Sequence, residues 1–240
     1  DPSWQKTFSP RIQQAVHIEP NNINEMKANV DTDTAAVILE PIQSIGGVVV
    51  MSDEFLLALR ARCTEVGALL IFDEVQTGSG RTGRPFVSSR SAGICSDMTT
   101  TAKSLANGFP MGAVLMTKEV DSTVQKGDLG ATFGGGPMAV AAMMATVNFS
   151  KKNNLPANAL AFEKEVRSRA SKMGIQAVYG KGCLLGLDMG TDVKAIKERL
   201  FTEGVIAGGC SNPNVFHLLP NIKIKSEHVD RFFMALSKCL

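Results

Sequence analysis

The chain has 240 residues, of which 44% are hydrophobic and 20% are charged, and its formal net charge at pH 7 is +2. That length is enough for one large or two modest domains with a sizeable core. The sequence has no basic cluster with interleaved aromatic residues, so it gives no support for nucleic-acid binding. No apolar run approaches the roughly 20 residues that a membrane-spanning helix needs, so we expect no membrane partner.

The cysteines indicate the redox compartment of the protein, and the first residue indicates whether the chain has been processed. The cysteines number five, are widely scattered and form no metal-ligand spacing, and the histidines number only three. We therefore expect no metal site, and reduced thiols in a cytoplasmic protein are the simplest account. The chain begins with Asp1 and has no signal peptide. We interpret it as a processed product or as a chain whose upstream part is absent.

Apolar runs separated by helical patterns organise the first part of the chain. The order strand, helix, strand over residues 35–72 predicts parallel strands. A helix rich in alanine and methionine begins at Pro137, and we expect it to be buried against the sheet. The predicted elements are a helix over 22–30, a strand over 35–39, a loop over 42–47, a helix from Ser52 or Asp53 to about Val66, a strand over 68–72, short strands over 98–102 and 113–116, a helical turn or two over 118–125 and a helix from Pro137 to about Asn148.

The composition changes at residues 150–154, where we place a boundary between domains 1–149 and 150–240. Short strands and helices alternate after that point, which predicts a small α+β domain. Its predicted elements are helices over 158–172, 193–201 and 228–240 and strands over 177–179, 183–189, 205–206 and 215–219.

Two carboxylates, Asp73 and Glu74, follow the apolar strand over 68–72, and a glycine-rich loop comes next. Open α/β sheets bind their ligands at this end of their strands, although a lone Asp-Glu pair is more often a solvated turn. Downstream, Lys103 lies among small and apolar residues. That setting predicts an apolar pocket in which the amine would be a nucleophile towards carbonyls, although most lysines are solvated surface groups.

A carboxylate paired with a reactive lysine is what pyridoxal 5′-phosphate (PLP) needs. The lysine binds the aldehyde, and the carboxylate keeps the pyridine nitrogen protonated so that the ring can accept electrons. Gln76 could hydrogen-bond the phenolic oxygen of the ring. Thr132 could donate to the phosphate, because the glycines that follow it allow close approach of the backbone.

Several blocks in this order resemble the class III aminotransferases of PLP fold type I, the group that includes acetylornithine, ornithine and 4-aminobutyrate aminotransferases. The resemblance covers residues 35–145, and residues 215–224 fit more loosely. It implies an α/β chain with part of the large, mostly parallel-sheet domain and a small C-terminal α+β domain. The blocks are LEPIQ at 39–43 with GG at 46–47, LIFDEVQTG at 70–78 with GRTG at 80–83, AKSL at 102–105 with GFPMGA at 108–113, and TFGGGP at 132–137.

The resemblance also implies a role for each matching site residue. Lys103 would be the Schiff-base lysine and proton shuttle, and Thr132 would reach the phosphate of the neighbouring subunit's cofactor, which implies a homodimer with shared active sites. The other implied roles are Asp73 on the pyridinium nitrogen, Val75 on one ring face, Gln76 on the phenolic oxygen and Glu40 orienting the glutamine and loop network.

The chain departs from the family pattern in three ways. It lacks the N-terminal region with a glycine–serine phosphate loop and a stacking aromatic ring, so it resembles the C-terminal portion of a longer enzyme. Ile45 stands where acetylornithine- and ornithine-type members have a glutamate. His217 replaces the arginine that binds the substrate carboxylate. A neutral imidazole cannot form a bidentate clamp, so the carboxylate is held differently, the substrate is unusual, or His217 is structural.

Arg81 could be interpreted as a clamp for a substrate anion, but it lies in a glycine-rich loop, so we expect it to brace that loop. We expect Arg84 to be a surface residue.

The function predicted from these features is transfer of an amino group from an ω-amino donor such as acetylornithine to a 2-oxo acid such as 2-oxoglutarate. A glutamate-semialdehyde-type aminomutase and a truncated, non-catalytic chain remain as alternatives. A dinucleotide-binding domain is disfavoured on the expectation that no G-x-G-x-x-G fingerprint follows a strand.

Overall fold

The computed structural model describes residues 15–87, 94–132 and 134–240. Its elements in chain order are α1 (Ile23–Asn29), β1 (Ala36–Leu39), β2 (Ile42–Gln43), β3 (Val49–Val50), α2 (Asp53–Val66), β4 (Leu69–Asp73), β5 (Met98–Thr101), a 3-10 helix (Lys103–Ala106), β6 (Ala113–Met116), α3 (Lys118–Asp121), α4 (Pro137–Lys152), α5 (Leu155–Lys172), β7 (Ala177–Lys181), β8 (Leu184–Asp188), α6 (Lys194–Thr202), β9 (Gly208–Gly209), β10 (Val215–Leu218) and α7 (Ser226–Cys239).

The first sheet has the strand order β1-β4-β5-β6. β4 pairs in parallel with β1 on one side and with β5 on the other, whereas β6 pairs antiparallel with β5. The helix α2 makes the crossover between β1 and β4, as the strand–helix–strand pattern predicts. The carboxyl ends of β1, β4 and β5 therefore lie along one edge of this sheet.

Local chemistry fixes both ends of α2. The side chain of Ser52 accepts a hydrogen bond from the Phe55 N–H at 3.1 Å, which satisfies one donor of the first turn. Gly67 ends the helix in the left-handed conformation with φ 79°. The buried face of α2 packs with α1 and β4 in one apolar core: Met26, Val30, Met51, Phe55, Leu56, Leu59, Cys63, Ala68, Leu70, Phe72 and Ile94.

The second sheet is antiparallel, with the order β7-β8-β10-β9, and its core lies among the sheet, α5, α6 and α7. This arrangement agrees with the predicted small α+β unit. α4 ends at Lys152 and α5 begins at Leu155, so the change of composition at 150–154 falls between two helices. The domain boundary at that point remains a prediction.

Two parts of the predicted element list are wrong. Residues 42–47 are not only a loop, because β2 and β3 form an antiparallel ladder around the turn. The predicted strand at 205–206 is absent, and Ile206 is exposed, while the edge strand β9 lies at Gly208–Gly209 and pairs with β10. Strands of two residues have no side-chain alternation long enough to be recognised in a sequence.

The predicted burial of the helix that begins at Pro137 is also wrong for the described residues. In α4 only Ala139 is buried, and Met138 and Met144 are 72% and 57% exposed. The helix contacts the 3-10 helix and α5, and the rest of its apolar surface faces solvent.

None of the helices that the structure describes is both long enough and apolar enough to cross a membrane. All five cysteines are free thiols. No group of three or more His, Cys, Asp or Glu side chains among the described residues is placed to hold a metal ion.

Candidate functional site

Three candidate residues lie at the carboxyl edge of the first sheet. Leu39 pairs with Phe72, and Asp73 pairs with Thr100, so Glu40 directly after β1 and Asp73 at the end of β4 are adjacent in the sheet. Lys103 follows β5 after one residue. Ligands of open α/β sheets bind at such an edge, so the three side chains define a candidate site.

The carboxylate of Asp73 is held through one of its two oxygens. Its Oδ1 accepts the Val75 N–H at 3.0 Å and the Thr100 hydroxyl at 3.2 Å. Its Oδ2 has no protein hydrogen-bond partner among the described residues. The acid is thus oriented by β5 and by its own loop, with one oxygen free to receive a ligand donor.

The amine of Lys103 is directed at Gln76, because its Nζ donates a hydrogen bond to Gln76 Oε1. Its backbone has φ 48°, a conformation that costs a non-glycine residue about 1–3 kcal/mol and turns the chain sharply out of β5. The predicted apolar pocket is wrong for the described residues, since the Lys103 side chain is exposed. Leu105 and Ala106 are buried, so the 3-10 helix points its apolar side chains away from the lysine.

Glu74 supports the loop after β4 rather than the candidate site. It is completely buried, and its Oε2 accepts the Val87 N–H at 2.6 Å and the Thr77 hydroxyl at 3.2 Å. These bonds close the loop that carries Gln76. The two consecutive carboxylates therefore have different roles, one in the site and one beneath it.

The same loop corrects the expectation about a dinucleotide fingerprint. Residues 78–83 have the pattern G-x-G-x-x-G after a strand, so the expectation that this pattern is absent was wrong. The fingerprint also requires that the glycines open a helix, and the described residues after β4 form a series of turns. The structural context of dinucleotide binding is therefore missing up to residue 87.

His217 joins the second sheet to this edge. It lies on β10, is 5% exposed, and its Nε2 is 3.0 Å from the hydroxyl of Ser44. The Ser44 N–H in turn donates to Glu40 Oε2 at 3.4 Å. The contacts Glu40–Ser44–His217 thus run from the first sheet to the second.

Ser44 is the functional candidate that the sequence analysis missed. Its neighbour Ile45, which was singled out, is exposed, and the Ile45 carbonyl accepts the Ser211 N–H at 2.8 Å. The contact of Ser44 with His217 spans 173 positions, so no local pattern reports it. The only signal available was the place of Ser44 directly after the LEPIQ block at 39–43 and before Ile45.

Arg81 braces its loop, as predicted. Its guanidinium donates to the carbonyl oxygen of Pro220 at 2.5 Å and to that of Cys183 at 3.4 Å. It therefore ties the loop after β4 to the segment that follows β10. Burial lowers the pKa of Arg81, and burial raises the pKa of the Cys183 thiol to about 11. Arg84 is exposed, in agreement with a surface position.

Burial and neighbouring charges shift the pKa values of two groups of the site, Glu40 and His217. The pKa of Glu40 is raised, chiefly because the carboxyl is buried and further because Asp73 is negative; the bond from Ser44 and the charge of Lys103 act in the opposite sense. The pKa of His217 is lowered by burial and then by the positive charge of Lys103. The imidazole is accordingly neutral at pH 7.

Thr132 does not join these residues within the chain. It is exposed in the segment between α3 and α4, and among the described residues it makes no hydrogen bond with Asp73, Gln76 or Lys103. Its predicted contact with a phosphate at a neighbouring subunit stays a prediction. The same holds for Val75 against a cofactor ring.

The donor set at the sheet edge fits the chemistry of PLP. The free Oδ2 of Asp73 suits a protonated ring nitrogen, and the amine of Lys103 suits the aldehyde. Gln76 offers an amide that already contacts Lys103. The residues present therefore agree with the cofactor expected from the sequence.

The fold is that of the PLP-dependent aminotransferases. Acetylornithine aminotransferase from Elizabethkingia anophelis superposes with a TM-score of 0.85 at 26% identity over 97% of this chain and 62% of its own. The ornithine aminotransferase of Toxoplasma gondii, whose active site is partly occupied by PLP, gives a TM-score of 0.83 at 25% identity over 92% of this chain and 54% of its own.

Residues 5–240 match the family model of class III aminotransferases, and the chain belongs to that family. An acetylornithine/succinyldiaminopimelate aminotransferase of Yersinia pestis is 42% identical over 147 residues, which are 61% of this chain and 36% of that protein. The chain thus spans between about a third and two thirds of the length of these relatives.

Proposed function

We propose that this protein is a PLP-dependent aminotransferase that moves an amino group from an ω-amino donor to a 2-oxo acid such as 2-oxoglutarate. The observation that carries the proposal is the amine of Lys103, hydrogen-bonded to Gln76 at the same sheet edge as the half-open carboxylate of Asp73. The relatives named for acetylornithine and ornithine support an ω-amino donor.

Bound PLP supplies an aldehyde that captures the amine and a ring that accepts the electrons released at the donor carbon. Asp73 would hold the protonated ring nitrogen, while Thr100 and the Val75 N–H keep its carboxylate in position. Lys103 would take the proton from the donor carbon and return it as an acid. Gln76 would orient the lysine amine, and Val75 would pack against the ring.

The proposed functional unit is a homodimer. Thr132 is exposed and, among the described residues, makes no hydrogen bond with Asp73, Gln76 or Lys103, which agrees with a role at the partner's cofactor phosphate. The exposed apolar side chains of α4, Met138, Met144 and Phe149, supply a surface that a second copy would cover. Because the five cysteines are free thiols, we propose that the homodimer works in the cytoplasm.

A second candidate function is a non-catalytic chain with an incomplete cofactor site. One observation favours it: the side chain of Lys103 is exposed within the described residues. In that case the polypeptide would fold without turning over an amine.

An amino-transfer assay separates the two candidates. The full chain is loaded with PLP and given acetylornithine, ornithine or 1,4-diaminobutane with 2-oxoglutarate, and glutamate is measured. We expect glutamate to form, and Lys103→Ala to lower the rate by about 10²–10⁴-fold, the usual contribution of general acid–base catalysis. Lys126→Ala, at another exposed lysine, serves as the matched control. Full activity in Lys103→Ala, or no glutamate from any donor, would contradict the aminotransferase proposal.

A further inference from the structure

Glu74 is a completely buried acid that holds the loop after β4 at two places. Its Oε2 accepts the Val87 N–H at 2.6 Å and the hydroxyl of Thr77, which is also completely buried, at 3.2 Å. Burying a carboxylate is costly unless hydrogen bonds replace its water. An apolar side chain would fill the same space at a lower cost, so packing alone does not account for an acid at this position.

Gln76 lies between two residues that the consecutive acids hold. On one side of it, the Asp73 carboxylate accepts the Val75 N–H at 3.0 Å. On the other side, Thr77 donates its hydroxyl to the Glu74 carboxylate. Both neighbours of Gln76 are therefore anchored, which sets the direction in which its amide points.

Glu74 is also bonded to the strand from which Lys103 emerges. The Glu74 N–H donates to the Thr100 carbonyl at 2.9 Å, and Lys103 follows β5 after one residue. The Nζ of Lys103 donates a hydrogen bond to Gln76 Oε1. Glu74 thus connects to both partners of the Gln76–Lys103 contact, to one through its backbone and to the other through its carboxylate.

We propose that Glu74 is a positioning residue of the site, which acts through the Thr77 hydroxyl to hold Gln76 against the amine of Lys103. This inference rests on the proposed aminotransferase function. In the proposed role Glu74 contacts neither the substrate nor the cofactor, and it affects Lys103 only through the amide of Gln76. Loss of the Thr77 hydroxyl should therefore weaken PLP binding only while Gln76 is present.

Two variants at Thr77 test this role, because one removes the hydroxyl and the other keeps it. Thr77→Val loses the bond to Glu74, whereas Thr77→Ser retains it. The full chain is titrated with PLP, the bound cofactor is fixed with borohydride, and the adduct on Lys103 is quantified by peptide mapping. We expect the half-saturating PLP concentration to rise by about 3- to 10-fold in Thr77→Val, the effect of one hydrogen bond, and to stay close to the wild-type value in Thr77→Ser.

A Gln76→Ala background distinguishes positioning from a general effect on folding. If Thr77 acts through Gln76, adding Thr77→Val to Gln76→Ala should leave the half-saturating PLP concentration within about twofold of the single variant. A merely structural role would give the same rise in both backgrounds, because independent effects add.

Glu74→Ala tests the acid itself, with Asp188→Ala as its matched control. Asp188 is also buried and accepts one hydroxyl, that of Tyr179, and one backbone N–H, that of Gly190, both at 2.9 Å, but it lies in the second sheet. We expect both variants to lose stability in urea and only Glu74→Ala to raise the half-saturating PLP concentration. The Thr77 variants decide the question if Glu74→Ala does not fold.

The same half-saturating PLP concentration in the wild type and Thr77→Val, or equal rises with and without Gln76, would overturn the proposal. In that case PLP would still be fixed on Lys103, and the proposed aminotransferase function would stand. If borohydride fixes no PLP on Lys103 of the wild type, the proposed function and this inference fail together.

Discussion

Asp73 shows at the scale of one residue how a strand end prepares an acid for a ligand. The Val75 N–H and the Thr100 hydroxyl occupy Oδ1 and leave Oδ2 open. The protein thereby fixes the direction of the carboxylate before any ligand arrives. Fixed polar groups of this kind lose little entropy when they bind.

Substitution of Asp73 tests this arrangement. Asp73→Asn keeps the shape but removes the charge, so we expect the affinity for PLP to fall by about 10- to 100-fold, as for loss of a charge-assisted hydrogen bond. Thr100→Val removes only one neutral donor to Oδ1 and should weaken PLP by less than about tenfold. Absorbance titration with PLP measures both. Equal effects of the two variants would show that the charge of Asp73 is not used.

The lowered pKa of His217 predicts that the free energy of unfolding depends on pH. Burial and Lys103 lower its pKa below the ordinary 6.5, so the folded chain binds this proton less readily than the unfolded chain. The contribution of His217 to the free energy of unfolding is complete above pH 6.5 and decreases as the pH falls below that value. Glu40 acts in the opposite sense, because its pKa is raised and its contribution is lost as the pH rises above 4.5.

Urea unfolding of wild type and His217→Gln between pH 5 and 8 isolates the histidine. We expect the wild type to lose stability relative to the variant as the pH is lowered, since Glu40 is present in both. A difference in the free energy of unfolding that stays constant with pH would contradict the assigned shift.

At the scale of elements, the loop after β4 is held against the second sheet by a tight backbone contact. The Cys183 N–H donates to the Arg81 carbonyl at 2.8 Å, and Gly182 adopts φ +59° beside it. A Cβ at Gly182 would lie 2.4 Å from the Arg81 carbonyl oxygen, which real contacts do not permit. The loop after β4 and the turn between β7 and β8 thus approach each other closely at Gly182.

The variants Gly182→Ala and Gly174→Ala separate this contact from backbone strain. Both glycines have positive φ, but a Cβ at Gly174 would meet nothing within 4 Å. We expect Gly174→Ala to cost about 1–2 kcal/mol from the left-handed conformation alone. Gly182→Ala should cost about 1–3 kcal/mol more, because the clash is with backbone. Equal losses in urea unfolding would contradict a role for the contact.

Whether an element could be predicted from the sequence depends on how far apart along the chain its interacting residues lie. The apolar run before Asp73 and the capping residues of α2 are local, so β4 and α2 could be predicted from the sequence. The candidate residues at the strand ends came from the same runs together with family blocks. Ser44 against His217, the exposure of Lys103 and the short β9 depend on the folded arrangement, and no local pattern reports them.

At the scale of the whole molecule, the main feature is the exposed apolar surface of α4, which the described residues do not cover. It agrees with the proposed homodimer, whose shared site would bring Thr132 to the partner's cofactor. A patch of this kind is unusual on a monomer.

Sedimentation of the full chain with PLP tests the dimer. We expect a dimer in the wild type and a shift towards monomer in the double variant Met138→Ser/Met144→Ser, because both side chains are exposed on α4. Met234→Ser, at an exposed methionine of α7, serves as the control. A wild-type monomer, or equal association of all three proteins, would exclude α4 as the interface.

The central claim is that Lys103 is the amine that binds the cofactor, and borohydride reduction of the PLP-treated chain followed by peptide mapping tests it most directly. We predict one reduced adduct, on Lys103, together with its disappearance in Lys103→Ala. Reduction that leaves Lys103 unmodified, or an adduct spread over surface lysines, would contradict the account and favour a non-catalytic chain.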